Sequence, residues 1–322
     1  MKKILFALCA MATLASCSNE EIVNFDKEAI AFDGAFVDNG TRAQDDFTIE
    51  THKLFDFNVW ATTQRPSSTQ IVPIMNEVIV CRPDLVSDWV YPTANTQYWI
   101  PGNTYQFVAA KNYGTVELAN GVPSKFTYDA DSQADLLYAA HTRENVAASN
   151  NDAVAFTFDH LLSKAYFTVD TNQMSGANTN YTYRITNVCI NNAVKEATYT
   201  VGATTPWAGT ANYSAQNPLT FNHVNAGDKL VADQTYTSDL ARLLVPASYT
   251  ALNITCTIET LYGESVIDVK DYDKTIAQEF VKGYVYNFVL ALKDPGQPIE
   301  FTVTRVNEWV PTTPAETPIP GL

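Results

Sequence analysis

Histidine and cysteine are the residue types in this sequence most suited to covalent or metal chemistry. The four histidines are His52, His141, His160 and His223, and none lies in an HExxH motif, near a GxSxG serine or beside a papain-like cysteine segment. His160 falls at the boundary of a predicted strand, where we expect a hydrogen-bonded structural histidine. The sequence therefore predicts no catalytic residue, no cofactor and no enzymatic activity.

Metal-binding patterns are equally weak. The stretch DADSQAD at 129–135 has alternating carboxylates like a calcium loop, but it lacks the central glycine and the later bidentate glutamate. Beyond the N-terminal region the cysteines are Cys81, Cys189 and Cys256, an odd set without CxxC spacing. Cys189 and Cys256 lie in strand-like contexts that favour buried thiols. We predict no metal site.

The N-terminus predicts an export signal that ends at a modified cysteine. Lys2 and Lys3 precede a short apolar run, Ile4 to Met11, and the string Leu14-Ala15-Ser16-Cys17 follows. That run is too short to span a membrane, so it is typical of a cleaved signal. The string LASC resembles a lipobox, in which the cysteine thiol is acylated. We expect Cys17 to attach the chain to outer-membrane lipid.

Residues 29–37 are predicted to form a strand with one apolar face. Ile30, Phe32 and Phe36 share one parity of the segment AIAFDGAFV. Side chains of one parity point to the same side of a strand, so these three residues are the expected anchors. We call this predicted element the leader strand.

Arg42 and Ala43 form a candidate proteolytic site. They follow Asp38-Asn39-Gly40, whose residue types favour an exposed turn of the kind that proteases cut. Cleavage after Arg42 would remove the leader strand and leave an apolar groove between two unpaired edges, which a strand from a neighbouring molecule could fill. The alternative is that Arg42 is an ordinary surface arginine and the leader strand is the first strand of a stable monomer.

Three aromatic residues, Trp89, Tyr98 and Trp99, are candidates for stacking on sugar rings, because an aromatic face offers apolar surface to a ligand. The alternative is that they pack in the core.

Short alternating segments rich in Val, Thr, Tyr and Phe predict half-buried antiparallel strands along the rest of the chain. Helical periodicity is almost absent, with Ala134–Ala140 and a turn near Asp239–Leu243 as the only candidates. The clearest predicted strands are 47–60, 105–110, 153–158, 165–169, 181–190, 252–258, 285–292 and 299–306.

The polar stretch 147–152 is the predicted linker between two β-domains, as the chain is long for one. The formal net charge of −15 opposes contact with a phosphate backbone, so nucleic acid is not an expected partner. The predicted organisation is a signal peptide at 1–16, a propeptide with the leader strand at 17–42, an N-terminal β-sandwich at 43–150, a C-terminal β-sandwich at 151–310 and a Pro-rich tail at 311–322.

Several segments, taken in order, resemble the fimbrillin family of Bacteroidales. FDGAFVDNGTRA resembles the strand and arginine processing site of fimbrillin-family lipoprotein precursors. The aromatic block 89–110, DLLYA at 135–139 and FTFDHLLSKAYFTV at 156–169 are similar to family segments, as are FVKGYVYNFVLAL and IEFTVTRVNEW near the C-terminus. The resemblance covers most of the chain from Cys17 to Trp309.

This resemblance implies an all-β fold of two tandem antiparallel transthyretin-like β-sandwich domains, after a lipoprotein signal and a removable leader strand. It implies a lipoprotein precursor on the outer-membrane surface, lipidated at Cys17 and cleaved between Arg42 and Ala43 by an arginine-specific surface protease. The subunit would then join other pilus subunits, identical or different, in a type V-like fimbria outside the cell.

The C-terminal tail departs from the stalk subunits of that family, because only a short Pro-rich stretch follows Trp309. Pro314, Pro318 and Pro320 share one parity, and proline has no N–H to donate, so the tail is a poor filler between two edges. We therefore expect a tip or accessory subunit, possessing an acceptor groove but no donor strand. The alternative is that 299–310 is the donor.

A function of another class also stays open. The chain could be a non-polymerising surface lipoprotein that binds a glycan or a host protein through its aromatic residues.

Overall fold

The computed structural model describes residues 28–37, 54–84, 87–149, 151–174, 181–221, 229–238, 241–293 and 300–308. Within them the regular structure is β-strand and short 3-10 turn, so the all-β prediction is confirmed. Among these residues no helix has the length and apolar character needed to cross a membrane. The strands are β1 (Phe32–Val37), β2 (Asp56–Gln64), β3 (Ile71–Cys81), β4 (Thr104–Lys111), β5 (Val116–Ala119), β6 (Val122–Asp129), β7 (Leu137–Arg143), β8 (Val154–His160), β9 (Ser163–Gln173), β10 (Tyr181–Ile190), β11 (Val194–Thr200), β12 (Trp207–Asn212), β13 (Leu219–Thr220), β14 (Thr235–Thr237), β15 (Arg242–Leu244), β16 (Ser248–Tyr262), β17 (Ser265–Glu279), β18 (Tyr284–Lys293) and β19 (Glu300–Glu308).

The strands form four sheets. A six-stranded sheet has the order β1-β8-β7-β4-β2-β3, and a four-stranded sheet has the order β12-β11-β6-β5. The remaining strands form a five-stranded sheet, β14-β9-β18-β19, to which β15 adds beside β9, and a four-stranded sheet, β13-β10-β16-β17. Most neighbours are antiparallel, as predicted, but β1 with β8 and β18 with β9 are parallel pairs.

Alternation of buried and solvated side chains explains most of these strands. In β18, Tyr286, Phe288, Leu290 and Leu292 are buried while the residues between them are half-buried. Such period-2 patterning gives a strand one face for the core and one for the surface.

The six-stranded sheet is packed on both faces. Val59 and Phe107 point to a cluster that also contains Ile30 and Phe32. Trp60, one residue after Val59, belongs to a second cluster on the opposite side of the sheet. The central strands β2 and β4 are therefore nearly continuous buried runs, as expected of strands covered on both faces.

The helical candidate at Ala134–Ala140 is wrong. Leu137 and Ala139 are buried at alternating positions of β7, which pairs with β4 and β8. The modest helical preference of the segment is outweighed by strand pairing on both sides. Likewise, residues 242–244 of the other candidate form β15 beside β9.

Sheet membership crosses the predicted domain boundary between residues 150 and 151. β8 pairs with β7 and with β1, so it lies in the sheet of the preceding strands. β11 in turn pairs with β6, which joins a strand after the boundary to one before it. The division into two domains, and the transthyretin-like topology, stay predictions.

Candidate functional site: the leader groove

Residues 28–37, which we call the leader segment, are hydrogen-bonded along two sides. On one side the Ile30 N–H donates to the carbonyl of Gln97 at 2.8 Å, and the Trp99 N–H donates to the carbonyl of Glu28 at 3.0 Å. These reciprocal bonds surround an antiparallel bridge between Ala29 and Tyr98. The first residues of the leader segment thus pair with residues 97–99.

On the other side the leader segment pairs with β8 in parallel. The Val154 N–H donates to the carbonyl of Ala31 at 2.8 Å. Along β1, Phe32 is opposite Val154 and Val37 is opposite Phe158, with an irregularity in the register between Asp33 and Phe36. The leader segment therefore fills a slot between residues 97–99 on one side and β8 on the other. We call this slot the leader groove.

Two of the three predicted anchors are buried in the leader groove. Ile30 is 1% exposed and Phe32 is 4% exposed. Phe32 stacks on Phe156 with ring centroids 5.9 Å apart, and it makes edge contacts with Tyr91 at 5.6 Å and Phe107 at 6.3 Å. The backbone of Phe36 is opposite Thr157, and its side chain lies outside the described residues.

Tyr91 holds the leader segment through a polar contact as well as a ring contact. Its hydroxyl donates a hydrogen bond of 2.6 Å to the carbonyl oxygen of Ile30. Burial raises the pKa of Tyr91 above the usual value of a phenol. The phenol therefore keeps its proton at neutral pH, and the bond persists.

Glu28 is held by the chain that leads into β8. One carboxylate oxygen, Oε2, accepts from the Asn151 backbone N–H at 2.8 Å and from the Asn151 side-chain amide at 3.2 Å. A carboxylate has only acceptors, so it matches a site that offers two donors.

Arg143 contacts both sides of the leader groove, the side formed by residues 97–99 and the side formed by β8. Its guanidinium carbon lies 4.9 Å from the ring centroid of Trp99, and its Nη1 donates to the Asp152 carbonyl at 2.6 Å. Trp99 belongs to one wall, and Asp152 leads into β8 in the other wall. A planar guanidinium suits both contacts, because it stacks on an aromatic face while its edge donates hydrogen bonds.

The three candidate sugar-stacking residues have different environments. Trp89 and Trp99 are buried, and each has a guanidinium over its ring, that of Arg82 at 4.4 Å and that of Arg143 at 4.9 Å. Tyr98 is 44% exposed. The structure does not bring the three rings together as one open platform, because the two indoles pack in a core cluster.

Cys17, Arg42 and Ala43 lie outside the described residues. The last residue described before Arg42 is Val37, at the end of β1, and the next after Ala43 is Leu54. Lipidation at Cys17 and cleavage between Arg42 and Ala43 stay predictions.

The histidine and the aspartates that the sequence did not assign to catalysis or metal binding have structural partners. His160 Nδ1 lies 2.6 Å from Asp135 Oδ2. Asp129 caps a 3-10 turn by accepting from the Asp131 N–H, and Asp131 forms an ion pair with Lys195. Within the described ranges no group of three His, Cys, Asp or Glu residues is arranged to hold a metal ion.

The thiols predicted to be buried, those of Cys189 and Cys256, are buried and free, whereas Cys81 is exposed. Burial raises the pKa of Cys256 to about 12 and also raises that of Cys189, which keeps both in the thiol form.

Sequence reasoning missed three features of the leader groove: Glu28 with its Asn151 partner, Tyr91 as a donor, and residues 97–99 as the second edge. Glu28 shares its parity with Ile30 and Phe32, which was a usable signal. No local pattern marks residues 97–99, because they pair as a short bridge outside any named strand.

A sequence profile of the fimbrillin-like family matches residues 41–309, so the chain belongs to the fimbrillin-like family. A search of curated protein sequences found no match.

Solved structures share the fold. A fimbrial protein from Bacteroides vulgatus aligns with a TM-score of 0.62 at 14% identity, covering 87% of this chain and 99% of that protein. A protein from Bacteroides ovatus, thought to act in cell adhesion, aligns with a TM-score of 0.52 at 15% identity, covering 88% and 98%. At these identities the likeness concerns the fold. Family membership supports a pilus-type or adhesion protein at the cell surface.

Proposed function

We propose that this chain is a structural subunit of a type V-like pilus that is assembled by strand complementation in the leader groove. The observation that carries the proposal is that the leader segment fills a slot bonded on two sides, with Ile30 and Phe32 as its buried anchors. A segment held this way can be exchanged for another extended strand that offers the same backbone groups and alternate side chains.

Cleavage after Arg42 is the step that would permit exchange. In the uncut precursor the chain tethers the leader segment, so it occupies the leader groove at high effective concentration. Once an arginine-specific surface protease cuts the bond to Ala43, the leader segment is held by non-covalent contacts alone. A strand from another pilus subunit, of the same or a different kind, then competes for the leader groove.

Loss of the leader segment without replacement is unfavourable. Phe107 and Phe156 would lose the ring packed between them, and β8 would become an open edge. An exposed apolar slot beside a free strand edge favours association with another chain. The groove thus supplies a driving force for assembly that exists only after processing.

Lipidation at Cys17 would hold the uncut precursor at the outer-membrane surface. Because Cys17 precedes Arg42, cleavage releases the subunit from its lipid at the same time as it frees the leader groove. The finished subunit would then reside in the extracellular fimbria.

We propose a tip or accessory position for the subunit, because the prolines of residues 311–322 oppose a donor role for that tail. This tail lies outside the described residues. The alternative donor, residues 299–310, includes β19, an edge strand bonded to β18.

Substitution of Arg42, compared with substitution of another arginine, distinguishes assembly into fibres from display on the cell surface alone. Cells that produce Arg42→Ala should display a lipidated, monomeric precursor and no fibres that contain it. Arg65→Ala, a change at an exposed arginine, should leave assembly unchanged. Normal incorporation of Arg42→Ala into fibres would overturn the mechanism.

One observation favours a second candidate, a surface lipoprotein that binds a glycan or a host protein. Tyr98 lies in the stretch that pairs with the leader segment, Ile100 follows that stretch, and both are large exposed side chains, as is Val90, next to Tyr91 in the sequence. A glycan array with the purified protein tests this candidate, and Tyr98→Ala is the informative variant because the neighbouring indoles are buried. Saturable binding lost in Tyr98→Ala, together with absence from fibres, would favour it over the pilus subunit.

A further inference from the structure

Three side chains of the leader segment, two residues apart, each have a separate receptor in the leader groove. Glu28 meets two N–H donors of Asn151, the Ile30 side chain is buried in the core cluster, and Phe32 lies among three aromatic rings. The residues of the other parity are different, since Ala29, Ala31 and Asp33 are exposed.

We infer that the leader groove selects its incoming partner by sequence, taking an extended strand of the pattern acidic–x–aliphatic–x–Phe that runs parallel to β8. The inference rests on the proposed function for the existence of such a partner. The binding preference itself is a property of the groove.

Strand direction follows from the backbone. β1 and β8 are parallel, while residues 28–30 are antiparallel to residues 97–99. A strand entering in the opposite direction would meet β8 with the antiparallel bonding pattern, which places the N–H and C=O groups differently. It would also carry its acidic end away from Asn151.

The acidic position faces two donors of Asn151, of which the side-chain amide also donates to the neutral carbonyl of Ala147 at 3.2 Å. The Asn151 backbone N–H and side-chain amide converge on one oxygen of Glu28. A lysine at this place brings only donors, and would leave the Asn151 backbone N–H without its acceptor and the side-chain amide with the Ala147 carbonyl alone. Hydrogen bonds to a charged group are also stronger than neutral ones.

The aliphatic position must combine a buried side chain with a backbone N–H and a carbonyl that can both form hydrogen bonds to the groove. Ile30 is 1% exposed, its N–H donates to Gln97, and its carbonyl accepts from Tyr91. Proline cannot occupy this position, because it lacks the N–H. A β-branched residue is favoured by the extended backbone.

The aromatic position is set by shape. Phe32 stacks on Phe156, and its edge contacts involve Phe107 and Tyr91. An alanine here would leave a cavity in a close-packed cluster, and a larger indole would overlap its neighbours. Phenylalanine is the side chain that satisfies both limits.

The first test is made on the uncut chain, where no cleavage is needed. Hydrogen exchange of the Ile30 and Trp99 amides reports whether the leader segment stays seated. Glu28→Lys should accelerate exchange at both amides by about tenfold or more, as expected for loss of charge-assisted hydrogen bonds. Asp33→Lys makes the same change of charge on the exposed face and should leave both rates unaltered. Equal rates in Glu28→Lys and the unaltered chain would overturn the acidic requirement.

The second test presents strands in trans to the full chain, cut by a sequence-specific protease whose site is placed between residues 38 and 53. The probe is a fluorescent peptide of residues 28–37, and unlabelled variants compete for it. Peptides with Asp33→Lys should compete like the parent, while Glu28→Lys, Ile30→Pro, Phe32→Ala and the reversed sequence should each be weaker by about tenfold or more.

The outcomes distinguish this inference from the proposed function. Equal competition by all peptides, or failure of the parent peptide to bind the cut chain, would overturn the inference. Selective binding by a protein that never enters fibres in cells would sustain the inference and remove the pilus role. Assembly into fibres by a subunit whose groove binds all the peptides equally would sustain the pilus role and overturn the inference.

Discussion

The hydroxyl of Tyr91 donates a hydrogen bond of 2.6 Å to the carbonyl oxygen of Ile30. Ile30 belongs to the leader segment, and Tyr91 precedes the short stretch 97–99 that pairs with it. The bond therefore links an aromatic side chain of the groove to the segment that the proposed processing removes. Contacts of this kind stabilise the precursor and are lost once the cut leader segment has left the subunit.

Removing that hydroxyl should weaken the precursor in a measurable way. Tyr91→Phe keeps the ring beside Phe32 but leaves the Ile30 carbonyl without its donor, which costs about 1–2 kcal/mol for a buried acceptor. The midpoint of urea unfolding of the uncut chain should fall accordingly. Tyr262→Phe, at an exposed tyrosine, is the matched control and should leave the midpoint unchanged. An unaltered midpoint in Tyr91→Phe would show that the bond contributes nothing.

Phe32 should matter to the precursor alone. Phe32→Ala removes a buried ring and leaves a cavity, at a cost of about 3–5 kcal/mol in the uncut chain. Once the cut leader segment has dissociated the residue is gone, so the isolated cut subunit should unfold at the same denaturant concentration with either sequence. Phe32→Asp together with Phe36→Asp should widen the difference for the precursor. Equal damage to cut and uncut forms would place these residues outside the removable segment.

The protein should lose stability in alkali. Burial raises the pKa of Tyr138 to about 12 and also raises those of Tyr91 and Tyr249. In the unfolded chain a phenol ionises at pH ~10. The folded protein therefore binds these protons more tightly than the unfolded chain does. Their contribution to stability is fully present below the unfolded pKa and is lost as pH rises through the folded pKa.

A tyrosinate absorbance titration, followed together with circular dichroism, checks this sign. We expect a group of tyrosines that ionise only when the fold is lost, at a pH above the unfolded phenol value. Ionisation of all tyrosines in one early step, with the fold retained, would contradict the buried environments of Tyr91, Tyr138 and Tyr249.

Deletion of residues 312–322 tests the position in the fibre. A tip or accessory subunit that only accepts a strand should still cap fibres after the deletion, since the tail has no proposed role in the leader groove. Fibre length and the location of the subunit can be followed by immunogold labelling. Loss of incorporation would identify the tail as a donor strand and overturn the tip assignment.

Local patterns in the sequence predict much of this fold, because half-buried strands carry a period of two. The parity of Ile30 and Phe32 predicts their shared face, and the predicted strand 181–190 agrees with β10 at both ends. β17 has no such signal, since most of its side chains are exposed on an edge strand. A period-2 pattern of apolar residues cannot predict a strand whose side chains are mostly exposed.

Pairing between distant segments is the part that the sequence does not reveal. The parallel register of β1 with β8 and the bridge from Ala29 to Tyr98 depend on chain topology, and no local propensity encodes them. The same holds for Asn151, which was assigned to a linker and instead binds Glu28. A polar loop residue gives no sign of its partner until the fold brings the two together.

The N-terminus of the subunit in surface fibres tests the central claim most directly. Fibres sheared from cells would be purified, and the first residue of the subunit would be determined by N-terminal sequencing and mass spectrometry. The account predicts a chain that begins at Ala43, free of lipid and of the leader segment. Surface copies that all begin with a lipidated Cys17 and retain residues 28–37 would contradict it.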